Sequence, residues 1–178
     1  MRLWTIGHST RSLDEFLALL APHGIEAIAD VRRYPGSRRL PHFGQEALAA
    51  SLAGARVRYA LLPELGGRRR PRPDSPNTAW RDDAFRGYAD YMATDEFRAG
   101  LARLLELAQG ARTAYMCAEA LWWQCHRRLI SDDLKAAGHD VIHILGPGKT
   151  QAHPFTPPAR IVDGRLTYAP PQTDVFEP

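Results

Sequence analysis

Short apolar runs alternate with amphipathic stretches along this chain. Leu3-Trp4-Thr5-Ile6-Gly7 reads as a strand, and Ser12 then caps a helix whose Leu13, Phe16, Leu17 and Leu20 recur at helical spacing as far as His23-Gly24. Glu15, three positions after Ser12, completes a capping box. The apolar run 25–31, bounded by Gly24 and Pro35, suits a buried parallel strand. A helix over 45–52 leads to a strand over 57–62 that stops at Pro63. Helices are predicted over 83–92 and 94–108, the second with Phe97, Leu101, Leu104, Leu105 and Ala108 on one face. A strand over 113–116, a helix over 125–137 and a strand over 141–145 continue the alternation.

Strands alternating with helices predict an α/β class: one Rossmann-like domain with a mostly parallel, helix-covered sheet. Asp163-Gly164, between two short strand-like runs, adds a C-terminal β-hairpin over 160–168. A single domain over 1–178 is expected, with a core over 1–146 and the hairpin and tail over 147–178. The Arg- and Pro-rich segment 68–77 is expected to be mobile, and the end from Ala169 onward loosely attached.

Composition narrows this reading. The 178 residues are 44% hydrophobic and 24% charged, ordinary values for a globular chain able to bury one core. No run approaches the roughly 18–20 uncharged apolar residues of a membrane span, and the first residues do not read as a signal peptide, so a cytoplasmic protein without a membrane partner is expected. Cys117 and Cys125 are too few for a disulfide scaffold. The net charge is only +3, yet residues 31–81 hold 11 of the 23 Lys and Arg but 3 of the 20 Asp and Glu, leaving that segment at +8 and the remainder at −5. Clustered arginine supplies both a field and planar hydrogen-bond forks, so an anionic partner is expected, either a phosphate-bearing small molecule or a nucleic acid.

In open parallel sheets ligands bind beyond the carboxyl ends of the strands. Polar residues gather there in this chain: His8, Ser9 and Thr10 after the first strand, Asp30 and Arg32 after the second, Glu64 after the third, and Cys117 and Glu119 after the fourth. The densest cluster runs from Cys117 to Arg128. A cysteine at a helix start near His126 and Arg127 is placed to become a thiolate, and Arg127 would add a phosphate fork. Cys125 or Cys117 could then attack an electrophile while Glu119 or His126 exchanges protons; the opposing reading makes both thiols small buried hydrophobes. Cys117, Cys125 and His126 do not have zinc-finger spacing, and neither a metal nor a cofactor is expected. Trp122 and Trp123 would stack on a ligand or close a core edge. Gly146-Pro147-Gly148-Lys149 lacks the phosphate-loop frame and reads as a turn.

Five ordered motifs carry a resemblance: Gly7-His8-Ser9-Thr10-Arg11, Asp30-Val31-Arg32 with Pro35 and Ser37-Arg38-Arg39, Leu62-Pro63-Glu64-Leu65-Gly66-Gly67, Phe85 to Met92, and Met116-Cys117-Ala118-Glu119 with Cys125-His126-Arg127. Together they resemble the prokaryotic family catalogued as domain of unknown function 488. The resemblance implies His8, Ser9, Asp30, Arg32, Arg38, Glu64, Arg86, Tyr88, Cys117, Glu119, Cys125, His126 and Arg127 as site residues.

The leading functional expectation is a hydrolase or group-transfer enzyme acting on a phosphate-bearing substrate such as a nucleotide or a nucleic-acid base. Arg32, Arg38 and Arg127 would hold the anion, Glu119, Asp30 or His8 would move protons, and Cys117 or Cys125 would attack. A rhodanese-like sulfurtransferase is the second expectation, although neither cysteine begins a Cys-x5-Arg loop. The third is a non-catalytic nucleic-acid or nucleotide binding module using Arg68, Arg69, Arg70 and Arg72. Oligomeric state is not legible.

Overall fold

The computed structural model describes residues 1–36 and 38–171. Strands β1 (Arg2–Gly7), β2 (Ala27–Asp30), β3 (Arg58–Leu61), β4 (Thr113–Cys117) and β5 (Asp140–Gly146) run parallel, and β6 (Lys149–Ala152) returns antiparallel to β5. The sheet order is β3-β2-β4-β1-β5-β6. Helices α1 (Leu13–Leu20), α2 (Gln45–Gly54), α3 (Asp83–Tyr91), α4 (Asp95–Gly110) and α5 (Arg127–Ala136) cover it, and β7 (Arg160–Val162) pairs with β8 (Arg165–Thr167) in a separate hairpin. This is the predicted Rossmann-like α/β class with its C-terminal hairpin.

The two-residue period of the strands divides the core. Ile6, Ile28, Met116 and Ile144 pack with Phe16 and Leu20 of α1 and with Leu48 and Leu52 of α2. Leu3, Ala29, Tyr115 and Val141 pack on the opposite face with Tyr88, Phe97, Leu104, Leu129 and Leu134 from α3, α4 and α5. The chain steps across the sheet from β1 to β3 and then back through β4 to β5. Right-handed crossovers place the covering helices on opposite faces for the two directions of travel, which is the distribution seen.

Local signals behave as chemistry requires. Ser12 Oγ accepts from Glu15 N at 3.2 Å while Glu15 accepts from Ser12 N at 2.7 Å. Asp163 and Gly164 take φ of 49° and 73°, the left-handed pair that suits a tight two-residue turn. Strand β6 carries no apolar pattern because all four of its side chains are exposed on the sheet edge, and pattern reading passed over it.

Two expectations are corrected. Helix α5 begins at Arg127 rather than Cys125, because a 3₁₀ turn over Trp122–Gln124 delivers Cys125 in extended backbone. Segment 68–77 is tied down: the Asp90 carboxylate on α3 accepts from Arg72 N at 2.8 Å, Ser75 Oγ at 2.5 Å and Asn77 Nδ2 at 2.8 Å. Gly87 permits this approach, since a Cβ there would lie 2.5 Å from the Arg69 carbonyl. The hairpin is anchored likewise, with Tyr168 Oη donating to Asp132 at 2.9 Å. The expected loose end falls mainly on 172–178, outside the described residues.

Among the described residues no helix is long and apolar enough to cross a membrane. None of them form a group of three or more His, Cys, Asp or Glu placed to hold a metal ion.

Candidate functional site

Beyond β4 the chain folds back over the end of β1, and glycine makes that crossing possible: a Cβ on Gly7 would lie 1.7 Å from the Glu119 carbonyl oxygen. His8 N donates to Cys117 O at 3.0 Å and Ser9 N to Ala118 O at 2.9 Å, extending the pairing past the strand ends. Trp122 stacks on His143 with centroids 4.3 Å apart and donates Nε1 to Gln151 at 3.1 Å, which fixes the turn leading to Cys125. The Cys117 and Cys125 sulfurs consequently meet at 3.2 Å as free, buried thiols.

Arg127 holds this pair from behind. Its Nε donates to Cys125 Sγ at 3.1 Å, Nη1 to Thr5 Oγ1 at 2.7 Å and Nη2 to Glu119 O at 2.6 Å, while its backbone N reaches Cys125 Sγ at 3.4 Å. Burial opposes ionisation of Cys125, but the hydrogen bond from Cys117 and the charge of Arg127 outweigh it and bring that thiol well below its ordinary range. Burial and the same hydrogen bond push Cys117 the other way. The two shifts are opposite in sign, because the hydrogen bond from Cys117 to Cys125 favours ionisation of the acceptor and opposes that of the donor.

Cys117 and Cys125 lie in the wall of a cleft of about 520 Å³ lined also by Glu119, Gln124, His126, Arg32, Arg33, Tyr34, Gly67, Arg68, Phe85 and Tyr88. His126 Nε2 lies 3.0 Å from Val31 O, a pure acceptor, so Nε2 carries the proton and Nδ1 keeps its lone pair. A Cβ on Gly67 would lie 2.8 Å from Nδ1. Burial, with Arg127 and Arg69 nearby, lowers the His126 pKa, so the ring is a neutral acceptor. Tyr88 donates to Leu65 O at 2.6 Å and is pushed well above its usual range by burial, making it a wall rather than an acid.

The opposite face of the sheet carries a second arginine cluster. Arg32 grips Asp30 through Nε at 2.8 Å and Nη2 at 2.6 Å, and donates Nη1 to Phe43 O at 2.9 Å. Tyr59 Oη donates to Asp30 at 2.7 Å. His8 Nδ1 donates to Ser9 O at 2.8 Å, leaving Nε2 to accept from Arg32 at 3.3 Å, and burial lowers its pKa to about 4. Arg32 borders the cleft, whereas Asp30 and His8 stand behind it.

The remaining expected residues are distributed as follows. Ser9, Thr10 and Arg38 lie outside the cleft lining. Glu64 is engaged by Arg103 at 2.6 Å and Arg86 by Asp83 at 2.5 Å. Arg69 lies 3.5 Å over the Tyr91 ring, Arg72 pairs with Asp74 at 3.0 Å, and Arg70 is exposed; Arg68 alone of that run lines the cleft. The Arg127 fork faces Thr5, backbone carbonyls and Cys125 and is spent internally. Sequence reasoning passed over Arg33 and Gln124, which sit beside residues it chose, and Thr5, which only the strand register places under Arg127.

No curated protein and no solved structure matches this chain. A family model described as "Domain of unknown function DUF488" matches residues 12–134, a span holding four of the five motifs, from Asp30-Val31-Arg32 to Cys125-His126-Arg127. The chain belongs to that DUF488 family.

Proposed function

We propose that the protein is a thiol-dependent group-transfer enzyme acting on an anionic substrate, with Cys125 as its nucleophile. One observation carries this reading: Cys125 Sγ receives Arg127 Nε, Arg127 N and Cys117 Sγ at 3.1, 3.4 and 3.2 Å, and Cys125 lies in the wall of a cleft bordered by arginines. Arg33 and Arg68 on the rim supply free charge for the anionic part of the substrate, a phosphate group fitting best. Arg32 adds little, because Asp30 already answers its charge. His126 Nδ1 accepts a proton or hydrogen bond from the substrate, and the exposed Glu119 carboxyl serves the leaving group.

Alkylation of the native protein tests this. Cys125 reacts first, faster than in the denatured chain at neutral pH, inorganic phosphate slows it, and Cys125→Ser abolishes the fast phase. A native Cys125 no faster than the denatured one ends the proposal.

A further inference from the structure

The second thiol narrows what is transferred. Cys117 Sγ has two partners, Cys125 Sγ at 3.2 Å and Glu119 O at 3.8 Å, and the nearer is the other thiol. An acyl or phosphoryl group on Cys125 gains nothing from this neighbour, because transfer to Cys117 recreates an equivalent bond. A sulfur on Cys125 is different: attack by Cys117 closes a disulfide and expels the group.

Accepting the nucleophilic role of Cys125 proposed above, we infer that the bond opened here is a sulfur–sulfur bond in an anionic molecule, with Cys117 as the resolving thiol. Cys125 thiolate attacks one sulfur of R–S–S–R′, forming Cys125–S–S–R and releasing R′–S⁻, which takes the Cys117 proton. Cys117 thiolate then attacks Cys125 Sγ, the bond to S–R breaks, and R–S⁻ departs. Two protein thiols are oxidised to one disulfide, an organic disulfide is reduced to two thiols or thiosulfate to sulfite and hydrogen sulfide, and an external thiol reductant restores the pair. Closing from 3.2 Å to the roughly 2.05 Å of a disulfide moves the sulfurs by about 1 Å. Arg127 keeps its bonds to Thr5 and Glu119 O throughout and remains beside whichever sulfur bears charge.

Oxidised glutathione and thiosulfate represent the two sources of such a bond, an organic disulfide and a sulfane sulfur. Reduced protein is mixed anaerobically with each, quenched with iodoacetamide and weighed intact. Wild type loses both alkylatable thiols and gains the Cys117–Cys125 disulfide. Cys117→Ser retains the group on Cys125, glutathione or a single sulfur, and its mass names the source; Cys117→Ala serves as a second trap should the serine variant fold poorly. Cys125→Ser acquires nothing. A Cys117 variant whose Cys125 alkylates rapidly yet carries no adduct from either probe overturns the sulfur–sulfur assignment while group transfer stands. A slow Cys125 overturns both.

Discussion

Each face of the sheet buries one arginine at the strand ends, and the two are answered by different anions. Arg32 meets the Asp30 carboxylate, with Phe43 O, Tyr59 and His8 completing a closed set. Arg127 meets Thr5, two backbone carbonyls and the sulfur of Cys125. Arg32 and Asp30 meet through two side-chain hydrogen bonds, so they spend their charges on each other and the result is scaffold. A thiol is ordinarily protonated, so the same device on the other face changes what the partner is. A buried arginine changes its partner's protonation only where that partner depends on it for ionisation.

The largest effect is expected from Arg127→Met, which leaves Thr5 and the Glu119 carbonyl without their donor and Cys125 without its cation. Breaking a buried charge pair from one side costs about 3–5 kcal/mol, read as a shift in denaturant midpoint, and alkylation of native Cys125 falls to the rate of a buried protonated thiol. Unchanged alkylation would show that the arginine is scaffold on both faces. Asp30→Asn keeps an acceptor for Arg32 and removes the charge, for a loss of about 1–3 kcal/mol, and Cys125 alkylates as before. A fall in thiol reactivity matching that of Arg127→Met would erase the distinction between the faces.

Acid titration separates the two clusters further. Native Cys125 ionises well below the 9.0 of a free thiol, so its contribution to stability is complete above 9.0 and is lost as pH falls through the native value; Cys125→Ser flattens that portion of the stability profile. His8 acts on the acid side: its native pKa of about 4 against 6.5 unfolded means that the unfolded chain binds the proton first, and stability falls as pH drops from 6.5 toward 4. His8→Gln reduces that slope in equilibrium unfolding without changing Cys125 alkylation. The smallest effects belong to the arginine run. Arg70→Ala stays within about 0.5 kcal/mol of wild type and leaves phosphate protection of Cys125 intact, whereas Arg68→Ala weakens that protection at equal stability.

Periodicity and punctuation were enough to read the strand and helix alternation, the Ser12 capping box and the Asp163-Gly164 turn, because each depends on neighbours within four residues. They failed at β6, whose exposed residues bear no pattern, and at segment 68–77, whose anchor Asp90 belongs to another element. The placement rule for parallel sheets picked out Arg32, Cys117 and Glu119, the dense cluster after the fourth strand added Cys125 and His126, the family resemblance added Tyr88, and all six line one cleft. The rule also drew in Glu64, and the resemblance Arg86, whose charges are met by Arg103 and Asp83.

By itself, then, the sequence determined the α/β class, the family and the presence of two cysteines beside an arginine, since pattern and residue identity are local quantities. Only the tertiary structure decided which arginine faces solvent and which is spent, that the two sulfurs touch, and that one thiol is lowered while the other is raised. Those outcomes depend on distances across the sheet, on the register that sets Thr5 beneath Arg127 and on the glycine that lets Glu119 cross β1. Coulomb and hydrogen-bond energies change steeply over such distances, whereas sequence spacing does not encode them.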